Sequence, residues 1–265
     1  MPVIGPCCIC GAVGELSFEH IPPRKAYNDQ RIFEADIEKL VEGKWDGQAR
    51  PEGKWVQGGA GKYTLCAKCN NETGSWYGSA YIAFARRGMH LVSASSGNLS
   101  LAYPYGIYPL RVTKQIIAMF LSACGTPLRS TYPDLVRFVL QRETQHIPHD
   151  LRLFAYLLHP RESEAFRQSG MTGVLNDRGQ HVFAEIAYPP FGFILTADAR
   201  PIDLSLLDIS FLGQSQFHHR ENVYLKMPVL PVVTWLPGDF RTRAEVAKGL
   251  AENTHMGQIQ LDVLR

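Results

Sequence analysis

Two short stretches, Cys7-Cys8-Ile9-Cys10-Gly11 and Cys66-Ala67-Lys68-Cys69-Asn70, each hold a Cys-x-x-Cys pair. Two residues between cysteines let both sulfurs reach one ion from a tight turn, and zinc takes four such thiolates in a tetrahedron. Gly11 follows the first pair directly and tolerates the positive φ that a zinc knuckle needs. The second pair stands just before a helix expected from Asn70 or Asn71 to about Arg87, so one helical turn would carry Cys69. Cys7, Cys10, Cys66 and Cys69 are therefore expected to bind a structural zinc ion. Cys8 could replace Cys7, although the spacing favours Cys7. A redox role would need a thioredoxin-like βαβ pattern, and neither pair has one around it. The sixth cysteine, Cys124, lies in an apolar helical stretch and reads as a core residue.

Working outward from the first pair, Ser17-Phe18-Glu19-His20-Ile21-Pro22-Pro23-Arg24-Lys25 follows closely. Leu16 and Phe18 alternate as in a short strand, which must stop at Pro22-Pro23 because proline cannot continue a ladder. Glu19 and His20 then sit at a strand end, expected on opposite sides. One can hold a metal while the other acts on water, and a neutral imidazole is the natural base near pH 7. Knuckle, hairpin and helix start, in that order, make the treble-clef arrangement.

Cys-x-x-Cys, an acidic residue plus His with a nearby Pro, then Cys-x-x-Cys-Asn resembles the zinc-containing HNH (ββα-metal) endonucleases. The resemblance covers about residues 7 to 75. It implies that His20 is the general base, and that Glu19 and Asn70 hold a catalytic divalent ion, Mg2+ or Mn2+. It further implies hydrolysis of phosphodiester bonds in DNA, favoured over RNA, leaving a 5′-phosphate. Two positions depart from the family pattern. Asn70 stands where many members have His, and Asn71 could share its role. Gly61 stands where many members carry an Asn that orients the histidine; a backbone carbonyl or Asn71 would have to supply that contact. Arg24, Lys25, Lys62 and Lys68 cluster around the site in sequence and are candidates for phosphate contacts. Tyr27, Trp76 and Tyr77 could stack on bases. The alternative is a catalytically inactive zinc module that binds nucleic acid or a protein partner. A third reading places the active site in the second half of the chain.

The rest of the chain sets the frame. The 265 residues are 45% apolar and 20% charged, an ordinary globular balance, with no apolar run long enough for a bilayer. The start of the sequence lacks the basic and apolar regions of a signal peptide, so a cytoplasmic location is expected. Net charge is +2 and the isoelectric point about 8.2, too mild to propose nucleic acid on charge alone. Gly58-Gly59-Ala60-Gly61-Lys62-Tyr63 resembles a P-loop only faintly, since Val56 replaces its first glycine and Tyr63 its hydroxyl residue. The expected fold is α+β: a zinc module over residues 1–90, followed by a mixed helix and antiparallel-sheet domain over 91–265. Helices are expected at Val112–Ala123, Tyr132–Glu143 and Arg243–Glu252, with a short one at 34–42. Strands are expected at Arg152–Leu158, Val182–Ala187, Phe191–Thr196 and Val229–Leu236, and one or two within 91–110. A small nuclease with a larger appended domain is a plan shared with effectors of bacterial antiphage defence. There the appendage senses a signal, assembles the protein or binds the target. Self-association into a homo-oligomer is compatible with this plan.

Overall fold

A computed structural model of the chain describes residues 2–35, 53–95, 97–158, 166–176, 179–197, 200–249 and 251–252. Strands β1 (Ile4–Pro6), β2 (Val13–His20) and β5 (Gly61–Cys66) form an antiparallel sheet in the order β1-β2-β5. On β2 Leu16 is buried and Val13 exposed; on β5 Leu65 is buried while Tyr63, two residues away across the register irregularity at Ser17/Phe18, is exposed. Between β1 and β2 the chain turns tightly, with Gly11 at φ 78° donating to the Cys7 carbonyl at 2.9 Å. Strands β3 (Ile32–Ala35) and β4 (Gly53–Val56) pair as a separate ribbon. Residues 34 and 35 thus belong to a strand and not to the short helix expected at 34–42; the remainder of that span lies outside the described residues.

Helix α1 (Ala67–Thr73) starts earlier than expected, because Cys66 is its N-cap and its sulfur accepts from the Cys69 amide at 3.5 Å. The helix continues through a π-helical turn, Gly74–Gly78, into α2 (Ser79–Ala94). Gly88 does not end it. A Cβ there would come within 2.4 Å of the Phe191 ring, so this glycine serves close packing. Phe191 stacks on Phe84 with ring centroids 4.2 Å apart.

One strand, β6 (Ser100–Ile107), precedes helices α3 (Pro109–Cys124), α4 (Thr126–Thr131) and α5 (Pro133–Leu140). Helix α3 is buried along nearly its whole length, as its Ile116-Ile117-Ala118-Met119-Phe120-Leu121 run requires. Its buried Lys114 donates to the carbonyls of Phe138 and Gln141, the latter at 3.0 Å, and so closes the end of α5.

The larger sheet holds β7 (Arg152–Leu157), β8 (Arg167–Gln168), β9 (Thr172–Asn176), β10 (Gly179–Tyr188), β11 (Phe191–Thr196) and β12 (Leu207–Asp208). Its order is β12-β7-β11-β10-β8, with β9 also on β10, and its pairings are antiparallel. The strand expected at Val229–Leu236 is not formed. Apart from a bridge of Val229 to Leu157, that stretch is irregular, and the strand lies just before it as β13 (Glu221–Pro228), paired with β6. Pro228, Pro231 and Pro237 have no amide to donate to a ladder. Residues 243–249 are helical, as expected for the start of the last helix.

One apolar cluster runs from Ile9 and Leu65 through Phe84, Ile116 and Phe120 to Phe193 and Leu225. The cysteine-bearing segment therefore shares its core with the helices and sheet that follow. Polar contacts tie the same parts together: the hydroxyls of Thr64 and Ser122 hydrogen-bond, and Tyr188 donates to the Tyr27 carbonyl at 3.1 Å. Cys124 packs at the edge of this core, half-buried, and burial pushes its thiol up to about 12. Among the described residues no helix is long and apolar enough to cross a membrane.

Candidate functional site

The sulfurs of Cys7, Cys10, Cys66 and Cys69 all lie within 4.8 Å of one another, and those of Cys10 and Cys66 are 3.8 Å apart. A tetrahedron with Zn–S bonds of about 2.3 Å has edges of about 3.8 Å. The four thiols could hold a zinc ion. Cys8 is outside the cluster; its amide donates to the Thr64 carbonyl at 2.9 Å, joining the knuckle to β5, and burial raises its thiol. Within the cluster the thiols share protons. The hydrogen bond with Cys69 lowers Cys7 to about 4, and the same contact raises Cys69. A cation at the centre removes this conflict, because every sulfur can then be thiolate.

Beside the cluster, where β2 ends and α1 begins, lies a cavity of about 390 Å³. Glu19, His20, Arg24 and Asn70 line it, together with Gly74, Gly78 and Gln115. Glu19 and His20 border the same space, not opposite ones, since the cavity wraps the strand end. The His20 ring packs edge-on against Phe18 with centroids 4.9 Å apart, and its Nε2 is 3.1 Å from the Gly58 carbonyl. With Nε2 as donor, Nδ1 keeps the lone pair. A backbone carbonyl thus meets the histidine that Gly61 cannot orient. Asn28 holds that loop in place. Fully buried, it donates to the carbonyls of Pro22 and Ala60 at 2.6 and 2.7 Å and accepts from the Ala60 amide at 2.6 Å. Gly59, at φ 100°, lies so close that a Cβ would fall 2.1 Å from the Asn28 carbonyl oxygen.

Asn70 donates its amide nitrogen to Ser17 Oγ at 3.0 Å and to the Phe18 carbonyl at 3.1 Å. Its Oδ1 is the end of the amide that does not engage the strand. Glu19 is half-buried, and burial pushes its carboxyl from 4.5 up to about 7. This has a consequence for stability. Below about pH 4.5 the acid is neutral in the folded and unfolded chain alike. Between 4.5 and 7 the unfolded chain ionises first, so stability falls as pH rises, and above 7 the full penalty stands. Glu19→Gln is therefore expected to stabilise the zinc-loaded protein, free of other divalent ions, by roughly 1–3 kcal/mol at pH 8 and to leave it unchanged at pH 4.5. Urea unfolding at the two pH values measures this; equal midpoints at pH 8 would contradict it.

The other residues singled out in the sequence fall elsewhere. Asn71 is exposed on α1 and does not line the cavity. Lys25 and Lys68 are likewise exposed beyond its edge. Lys62, opposite Glu19 in the strand register, lines a separate hollow of about 1010 Å³ with Phe33, Lys54 and Trp235. Of the four basic candidates Arg24 alone borders the cavity. Tyr77 is buried and donates to the Val139 carbonyl at 2.5 Å, which makes it a core residue, not a surface for bases. Asn28, the Gly58 carbonyl and Gln115 were not singled out from the sequence. The glycine density at 58–61 was the visible sign of a close backbone approach, and Gln115 is a lone amide in an apolar helix. No protein-family model matches the chain, and no curated protein or solved structure does either.

Proposed function

We propose that the first part of the chain is a treble-clef zinc module of the HNH type, and that the protein hydrolyses phosphodiester bonds in DNA with a divalent cation. One observation carries this reading: Glu19, His20, Arg24 and Asn70 converge on one cavity beside four clustered cysteines. The donor set fits a hard cation, since the Glu19 carboxylate and the Asn70 amide offer oxygen ligands. Mg2+ or Mn2+ bound there supplies charge to offset the scissile phosphate and the leaving oxygen. His20 Nδ1 takes a proton from the attacking water, while the Gly58 carbonyl fixes the ring through Nε2. Arg24, exposed at the rim, offers a phosphate contact that positions a strand without reading its sequence. Cleavage of the P–O bond to the 3′ oxygen then leaves a 5′-phosphate. The later part of the chain would sense a signal, assemble the protein or bind the target, and service in antiphage defence follows from that plan alone.

The test is relaxation of supercoiled plasmid by the full chain with Mg2+ or Mn2+, alongside EDTA. Cleavage that EDTA stops supports the proposal. Binding of the plasmid without cleavage under every metal condition would replace it with the inactive binding module.

A further inference from the structure

Helix α3 buries four polar side chains, Thr113, Lys114, Gln115 and Ser122, and one of them differs from the rest. The Thr113 hydroxyl donates to the Pro109 carbonyl, and the Ser122 hydroxyl hydrogen-bonds that of Thr64. Lys114 has acceptors for its ammonium in two carbonyls of the neighbouring helix end. Gln115, 1% exposed, has an Oε1 that is buried with no hydrogen-bond partner among the described residues. An unmet buried acceptor costs stability, and packing against the Ile116–Leu121 run that follows gives no reason to keep it. Gln115 lines the same cavity as Glu19, His20 and Asn70. The wall between is open by construction: a Cβ on Gly78 would meet nothing nearer than Gln115 Oε1, at 4.0 Å, and a Cβ on Gly74 would meet nothing. Both glycines belong to the π-helical turn Gly74–Gly78, and such turns are frequent at functional sites.

We infer that Gln115 supplies a third protein oxygen to the surroundings of the divalent cation that Glu19 and Asn70 hold. The site is then completed by a helix that follows the cysteine-bearing segment, α3. This rests on the metal-dependent reading above. A neutral amide oxygen suits a hard cation, and it adds no charge that an empty cavity would have to bury. The shared core explains why a residue 45 positions beyond Asn70 can be held there.

The experiment is a Mn2+ titration of the zinc-loaded full-length protein, with free Mn2+ read by electron paramagnetic resonance. Wild type is compared with Gln115→Leu, Gln115→Glu and Glu19→Gln, and melting is recorded with and without Mn2+. Gln115→Leu is expected to weaken Mn2+ binding about tenfold or more. Without Mn2+ it should melt higher than wild type, by roughly 2–4 °C, since it removes an unmet acceptor. Gln115→Glu, which keeps an oxygen in place, should bind Mn2+ at least as tightly as wild type. If Gln115→Leu binds Mn2+ like wild type while Glu19→Gln does not, the role of Gln115 is overturned and the metal reading stands. A lower melting point of Gln115→Leu without Mn2+ would make the amide structural and also overturn it. If wild type binds no Mn2+, or binds it as Glu19→Gln does, both fall together.

Discussion

His20→Ala is expected to slow DNA cleavage by roughly 10²–10⁴-fold, the range that a positioned general base contributes. The ring is half-buried, and its described contacts are the Phe18 edge and the Gly58 carbonyl. Removing it leaves the core and the cysteine cluster intact, so melting temperature and zinc content should stay near wild type. Single-turnover cleavage of labelled DNA at saturating Mn2+ separates the chemical step from binding. Added imidazole should restore part of the rate, because the space left by the ring lies in the cavity that Glu19 and Asn70 also line. A His20→Ala protein that is folded, holds zinc and cuts at the wild-type rate would remove His20 from the mechanism.

Cys69→Ser is expected to have the largest effect on folding. Cys69 is 2% exposed and sits in the first turn of α1, with the Cys66 sulfur as cap. A three-stranded sheet with strands of three, eight and six residues buries little by itself, and a structural zinc contributes folding free energy directly. Loss of one thiolate should reduce bound zinc to well below one per chain. It should also lower the melting temperature by roughly 10 °C, as a loss of several kcal/mol does in a protein of this size. Activity should go too, because β2 and α1 carry Glu19, His20 and Asn70. Cys124→Ser, outside the cluster, is the control and should keep its zinc. Full zinc content in Cys69→Ser would mean that Cys69 is not a ligand.

The cysteine pairs were legible because ligand spacing is a local property: two residues between sulfurs and a glycine after the knuckle are visible in sequence. The β-branched and aromatic runs of β10 and β11 and the apolar run of α3 were legible for the same reason. What escaped was set by tertiary contact. Strand β13 carries Glu221, Asn222 and Lys226 and is not among the expected strands, while the apolar Val229–Leu236 stretch is, although Pro231 interrupts it and Pro228 and Pro237 flank it. The start of α1 depended on a cysteine cap, which propensity rules do not include. Gln115 and Asn28 reach the site from 95 and 8 positions away from His20, and their part in it depends on packing that no local pattern encodes. Gly61 has no side chain to offer the histidine, and the Gly58 carbonyl lies 3.1 Å from its Nε2.

The measurement that bears most directly on the central claim is the Mn2+ dependence of plasmid cleavage by wild type and by Glu19→Gln, both zinc-loaded and both shown to be folded. If Glu19, His20 and Asn70 form the metal-dependent site, wild-type cleavage rises with Mn2+ to a plateau and stops with EDTA. Glu19→Gln then stays near background until Mn2+ is raised at least tenfold beyond the wild-type midpoint. Cleavage by Glu19→Gln at the wild-type midpoint and rate, or cleavage that persists in EDTA, would contradict the account and move the activity away from this cavity.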